Sequence, residues 1–296
     1  MAVTIKSERE AEWAMSFADL HTHTTASDGT RPPRDNVRLA KEAGLAAMAV
    51  TDHDTVNGVA EALAEGERLG VTVVPGVEIS TACGGQDIHV LGYWIDPGDE
   101  RFLARLSELR AVRERRNEMM VERLNALGVH IAMQDVIDSL ASVKRQDDTI
   151  GRPHIADALV RKGYAADMQD AFDRYLAKGA AAYVNPPRID PATAIQWIRE
   201  AGGAPVLAHP GLYSMDEIVA ELAAAGLAGL EAYHSDHTPE QEAAYVRLAS
   251  SLGLAITAGS DYHGERNGVV FHAPIGARKI DAAVIHELYR RRGRLA

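Results

Sequence analysis

From Phe17 onward, short apolar stretches that read as buried strands alternate with segments of helical period. "ADLHTH" reads as a short strand, and "PPRDNVRLAKEAG" as a helix with prolines at its start and Gly44 just past its end. "LAAMAVTDHD" is a buried strand running into a polar end, and "NGVAEALAEGERLG" a helix stopped by glycine. "VTVVPGVEIS" and "DIHVLGYWI" follow as two more strands. Strand and helix alternating at this spacing predict a parallel sheet with crossover helices.

The rhythm changes near Asp96. Residues 99–185 are helical in pattern and more charged, as in "LSELRAVRERRNEMMVERLNALG", and we read them as an inserted helical subdomain. It divides a barrel-like unit into a first part, 17–98, and a second, 186–296. In the second part "APVLAHPG", "LAGLEAYHS" and "LAITAGSDYH" read as strands, separated by "MDEIVAELAAAG" and "TPEQEAAYVRLASSLG".

Polar residues fall at telling places in this pattern. His21, His23, His53, Glu78, His209, Asp261 and His263 each stand where an apolar strand gives out. His89 lies inside a strand, and Asp28 sits in the turn after the first one. In α/β barrels the loops at the carboxyl ends of the strands form one face, so these residues are expected to converge. Buried together, six imidazoles and three carboxylates would leave charge and lone pairs unsatisfied unless cations shared them. Nitrogen and oxygen donors without thiolate suit two or three ions such as Mn, Zn or Fe.

Taken in order, "DLHTHTTASDG", "AVTDHDT", "GVEIS", "IHVLGY", "LAHPG" and "GSDYH" resemble the polymerase-and-histidinol-phosphatase (PHP) family of metal-dependent phosphoesterases, from about Phe17 to the end. The resemblance implies a distorted seven-stranded (β/α) TIM-like barrel of the α/β class, with a trinuclear metal centre. Carried over residue by residue, it implies that His21, His23, Glu78 and Asp261 hold one ion. Glu78 would bridge to a second ion held with His89 and His209, and Asp28, His53 and His263 would hold the third.

"TIGRPHIADALVRKG" in the insertion is similar to a branch that removes phosphate from nucleoside 3′,5′-bisphosphates, some of whose members trim RNA from the 5′ end. That resemblance implies that Arg152 and His154 contact substrate phosphate, which suits a bidentate guanidinium. Lys178 and His237 are further candidates for substrate contact. The expected reaction is hydrolysis of a nucleotide phosphomonoester, best the 3′-phosphate of a bisphosphate, by a metal-bridging hydroxide. His263 or His154 would protonate the leaving group, and Asp52 and Asp54 would orient imidazoles from behind. One departure stands out: Leu212 follows "HPG" where the family often has Arg, which removes an implied phosphate contact.

Other readings are a 5′-3′ exonuclease on RNA or short oligonucleotides, a metal-dependent amidohydrolase, and a non-catalytic metal-binding module. A net charge of −11 and few aromatic residues disfavour a long nucleic-acid track. Arg113, Arg115, Arg116 and Arg123 read as a solvated helix face with Glu partners, and His130, His272 and His286 as surface residues. With Cys83 as its single cysteine the chain forms no intramolecular disulfide, in keeping with a reducing cytoplasm. No apolar run is long enough to span a bilayer, and "MAVTIKSEREAEWAMSF" lacks the apolar core of a signal peptide. The expected setting is cytoplasmic, with a small phosphorylated nucleotide or short RNA as partner and no membrane.

Overall fold

In the computed structural model, which describes residues 16–140, 146–213, 215–266 and 268–293, the short apolar stretches pair into one curved sheet. The amino-terminal segment read above lies outside the described residues. Strands β1 (Phe17–Asp19), β2 (Ala47–Val50) and β3 (Thr72–Cys83) run parallel, connected by helices α1 (Pro33–Glu42) and α2 (Val59–Leu69). Strand β4 (Gln86–Tyr93) then returns antiparallel to β3.

Helices α3 (Glu100–Ala126), α4 (Met133–Asp138), α5 (Arg152–Arg161) and α6 (Met168–Ala171) follow, the last running into a π-helical turn over Phe172–Leu176. Helix α7 (Pro191–Glu200) leads back to β5 (Ala204–Leu207), which is antiparallel to β4. Helix α8 (Ile218–Ala224), β6 (Gly229–His234), α9 (Pro239–Ser251) and β7 (Ala255–Gly259) restore the parallel pattern. A small hairpin of β8 (Glu265–Arg266) and β9 (Val269–Val270) precedes β10 (Ile280–Asp281) and α10 (Val284–Arg291).

The sheet nearly closes into a barrel. Past the end of β1 the Leu20 N–H donates to Ala258 O at 3.0 Å and the His23 N–H to Tyr262 O at 2.8 Å, tying β1 to β7. β10 pairs with β1 on its other side. Alternate residues of the strands share one buried cluster with α10, including Ala18, Leu20, Ala47, Ala49, Leu91, Tyr93, Ala204 and Val206. Alanine at so many of these positions lets opposite strands approach closely, in keeping with dense interior packing.

One expectation needs correcting. The sheet is not parallel throughout, because Gly84 and Gly85, with φ of 57° and 76°, form a two-residue turn that folds β4 straight back onto β3. The hairpin presents His89 beside Ser80, near the end of the barrel where the parallel strands finish. Among the described residues between Glu100 and Leu176 every regular element is helical, and these helices pack around their own core of Met120, Leu124, Ile155, Leu159 and Leu176. They meet the barrel through polar contacts to its loops: Thr149 N–H to Ala26 O at 2.8 Å, and Asn57 Nδ2 to Asp148 Oδ1 at 2.8 Å. No helix among the described residues is long and apolar enough to cross a membrane.

Gly259, the last residue of β7, faces His21 so closely that an added Cβ would lie 2.1 Å from the His21 Cβ and 2.5 Å from Glu231 Oε1. Gly259→Ala is expected to cost roughly 1–3 kcal/mol of stability through overpacking and to displace His21. Denaturant unfolding read beside a divalent-metal titration checks this; an unchanged midpoint with unchanged metal affinity would refute it.

Candidate metal centre

All nine residues singled out at strand ends and turns meet at the end of the barrel where the parallel strands finish. Glu78 lies at their middle and is buried. Its Oε1 is 2.8 Å from His89 Nδ1 and 3.0 Å from His209 Nε2. Its Oε2 is 2.8 Å from His53 Nδ1, 3.2 Å from His23 Nε2 and 3.5 Å from His21 Nε2. Asp261 Oδ1 approaches both His21 Nε2, at 3.3 Å, and His23 Nε2, at 3.2 Å. Asp28 stands 3.3 Å from His263 and 3.8 Å from both His53 and His23, and the rings of His23 and His263 stack at 4.0 Å.

These donors suit cations. His21 and His23 face each other Nε2 to Nε2 at 3.1 Å. Among the described residues the buried Oδ1 atoms of Asp28 and Asp261 are approached by imidazole nitrogens but accept no well-aligned hydrogen bond. Several sets, among them His21–His23–Glu78, His53–Glu78–His89 and His23–Asp28–His53–His263, place one donor atom each within 4.8 Å of the others.

The electrostatics follow from crowding charge away from water. Burial alone would raise Glu78, but His53, His89 and His21 outweigh it and hold its carboxyl well below the usual range. Asp28 and Asp261 are driven down in the same way by their histidine neighbours. Burial would lower His21, yet Asp261, Glu231 and Glu78 lift it well above the ordinary value, and Asp261 and Glu78 bring His23 up to about 10. His209 goes the other way: burial pushes it to about 4 despite Glu78.

A supporting carboxylate escaped the sequence reading. Glu231, fully buried on β6, accepts from His21 Nδ1 through both oxygens at 3.1 Å and from the His209 backbone N–H at 2.9 Å. It thereby fixes the His21 tautomer with Nε2 turned to the cluster. An acid inside the apolar "LAGLEAYHS" was the available signal, the same one that drew attention to Glu78.

Asp52 braces the loop after β1, accepting from Thr24 N–H at 2.7 Å and Ser27 Oγ at 2.6 Å; Ser27 Oγ in turn lies 3.4 Å from His23 Nδ1. Asp54 accepts from the Ser80 N–H at 2.8 Å and pairs with Arg113 at 2.7 Å. Among the described residues the hydrogen bonds and ion pairs of both acids thus run to backbone, hydroxyl and guanidinium groups.

Beside the cluster a cleft is lined by Arg113, Arg116, Arg152 and Arg188, and also by Asp87, Phe172 and Leu212. Arg152 reaches Asp87 at 3.1 Å, and Arg188 pairs with the same carboxylate. Three of the candidate substrate contacts are not among the residues lining this cleft. His154 lines a separate cleft with Arg161 and Arg266, and its Nδ1 accepts from the Gly151 N–H at 2.9 Å. Lys178 Nζ donates outward to Gln86 at 2.9 Å. His237 is buried, with Nδ1 on Ala232 O at 3.0 Å and Nε2 on the Gly211 N–H at 3.1 Å.

The solvated-face reading of the arginine run also fails in part. Arg115 is exposed beside Glu118, but Arg113 and Arg116 are buried and turned to the cleft, because α3 lies across the barrel end. His272, read as a surface residue, lines the cleft with Nδ1 2.6 Å from Asp236 and Nε2 3.4 Å from Asp261.

The model of the PHP domain matches residues 19–179. The chain belongs to the PHP family. It is a metal-dependent phosphoesterase, a hydrolase of ester bonds. PHP relatives cover most of its length. It is 33% identical over 259 residues, 86% of this chain and 90% of the relative, to 3′,5′-nucleoside bisphosphate phosphatase of Chromobacterium violaceum. It is 36% identical over 255 residues, 83% of this chain and 84% of the relative, to 5′-3′ exoribonuclease Rnm of Escherichia coli. To phosphoribosyl 1,2-cyclic phosphate 1,2-diphosphodiesterase of Eggerthella lenta it is 31% identical over 250 residues, 83% of this chain and 94% of the relative.

Two expected outcomes follow from the PHP centre's surroundings. Glu231→Gln keeps the shape of the side chain but loses the tautomer control, so divalent-metal affinity is expected to fall roughly 10–100-fold; calorimetric titration with unchanged affinity would contradict it. His21 and His23 hold protons more tightly folded than unfolded. Their contribution to stability is therefore full below about pH 6.5 and lost as pH rises through the folded values. A cation replacing those protons cancels the loss, so the rise in Tm on adding Mn²⁺ should grow between about pH 6 and about pH 9. A rise that does not vary with pH would count against this account.

Proposed function

We propose that this chain removes a phosphate group from a nucleotide carrying two phosphates, most directly the 3′-phosphate of a nucleoside 3′,5′-bisphosphate, using up to three divalent cations such as Mn, Zn or Fe. The observation that carries the reading is Arg116. It is buried in the wall of the cleft, and among the described residues its Nε makes no hydrogen bond, its one side-chain contact of this kind is a 3.4 Å donation to Asn117 Oδ1, and it forms no carboxylate ion pair. Burial, with Arg113, Arg152 and Arg188 close by, pushes it well below the ordinary arginine value. A buried guanidinium left in that state calls for an anion, and a phosphate supplies the geometry its fork fits.

In this reading His21, His23, Glu78 and Asp261 hold one ion, Glu78, His89 and His209 a second, and Asp28, His53 and His263 a third. The approach of Glu78 to five imidazoles supports its place as the bridge. The cations, when bound, neutralise phosphoryl oxygens and activate water for attack on phosphorus. Arg116, Arg152 and Arg188 hold the second phosphate and so orient the ester over the centre. Of the two imidazoles considered for protonating the leaving oxygen, His263 lines the cleft and His154 does not. The helical subdomain that we place at 99–185 contributes Arg113, Arg116 and Arg152. A 5′-phosphorylated RNA end also presents two phosphates, which is why the similarity to the Escherichia coli exoribonuclease supports a second reading, 5′-3′ trimming of short RNA.

The test is phosphate release by the Mn²⁺-loaded protein from adenosine 3′,5′-bisphosphate, AMP, p-nitrophenyl phosphate and a 5′-phosphorylated oligoribonucleotide. Fast release from the bisphosphate, abolished by EDTA, is expected, with Arg116→Ala raising KM at least about tenfold. Stepwise mononucleotide release from the oligomer would favour the exonuclease. Silence on all four by metal-loaded protein would refute both.

A further inference from the structure

The cleft that holds the arginines also has apolar lining: Pro153, Phe172 and Leu212. Leu212 is 46% exposed, and of the exposed large apolar side chains among the described residues it alone lines this cleft. It sits at the end of a 3₁₀ turn directly after His209, so its position is tied to the metal centre. Phe172 opens the π-helical turn over Phe172–Leu176 and is only partly covered by the core of the helical subdomain. π-Helical turns are rare and concentrate at functional sites.

A leucine left in water and an aromatic ring beside a group of guanidiniums serve no purpose for phosphate itself. They match a flat ring attached to a phosphorylated sugar, because base–aromatic stacking and apolar contact add affinity without needing a hydrogen-bond code. We infer that Leu212 and Phe172 seat the base of the proposed nucleotide and are the residues that set its preference over a bare sugar phosphate. The inference rests on the phosphate-binding role proposed for Arg116 and sharpens it. It separates this chain's chemistry from that named for the Eggerthella lenta relative, a phosphoribosyl cyclic phosphate, which carries no base.

The experiment is calorimetric titration of the full, metal-free chain with AMP and with ribose 5-phosphate. The wild-type protein is expected to bind AMP about tenfold or more tightly than ribose 5-phosphate. Leu212→Ala, at an exposed site, and Phe172→Leu, which keeps the packing volume, should each narrow that ratio by weakening AMP alone, and Phe172→Tyr should restore it. Arg116→Gln should weaken both ligands alike. Equal wild-type affinities, or losses at Leu212 and Phe172 shared by both ligands, would overturn the nucleobase seat. An AMP preference that survives while Arg116→Gln changes neither ligand would leave the seat standing and overturn the phosphate site. Binding of neither ligand would overturn both.

Discussion

Burying the carboxylate of Glu78 among five imidazoles, at 2.8–3.5 Å, is costly in any fold, and much of the surrounding structure offsets that cost. The candidate ligands cannot be brought together by local chain geometry, since they come from the ends of β1 through β7 and are separated by most of the sequence. They can be held only by a rigid barrel whose strands end in one place. The small residues along the inner faces of the strands, and the close approach of Gly259 to His21, bring those ends near enough for the donor atoms to meet.

Around the centre lies a layer of buried acids whose work is positional. Glu231 fixes the His21 tautomer and also holds the His209 backbone, thereby coupling two strand ends. Asp52 ties the loop carrying His23 and Asp28 to the end of β2. Asp54, held in a positive-φ conformation, pairs with Arg113, so that α3 is anchored on the residue next to His53. Burial would raise Asp54, and Arg113 reverses the shift.

The helices between β4 and α7 complete the site from above. An acidic chain gathers Arg113, Arg116, Arg152 and Arg188 there, in one cleft with a centre rich in carboxylate. A carboxylate- and imidazole-rich centre beside guanidiniums, two of which share Asp87, would suit a dianionic ester contacted by cations and arginines together. That division of labour explains why net charge, taken over the whole chain, is a poor guide to what this surface binds.

Most strands and the seven candidate residues at strand ends were legible in the sequence, because apolar runs ending in His, Asp or Glu have few structural explanations; His89, inside a strand, and Asp28, in a turn, were added by the family resemblance and the pattern around them. The reversal of β4 was written in Gly84–Gly85 but passed over, since the surrounding alternation argued for parallel strands. What the sequence could not disclose were properties of packing. Arg115 and Arg116 are neighbours in a charged run, yet one is solvated and the other buried, because adjacent helical positions point about 100° apart and only tertiary contacts decide which side of α3 is covered. His154 lies two residues from Arg152 but opens onto a different cleft, since successive helical positions point about 100° apart. By itself the sequence determined the family, the barrel and the set of candidate ligands, all of which depend on residue type and order. The tertiary structure alone decided which charges are buried, which acids stand behind which imidazoles, and which apolar side chains are left facing the cleft, because these depend on distances between segments remote in the chain.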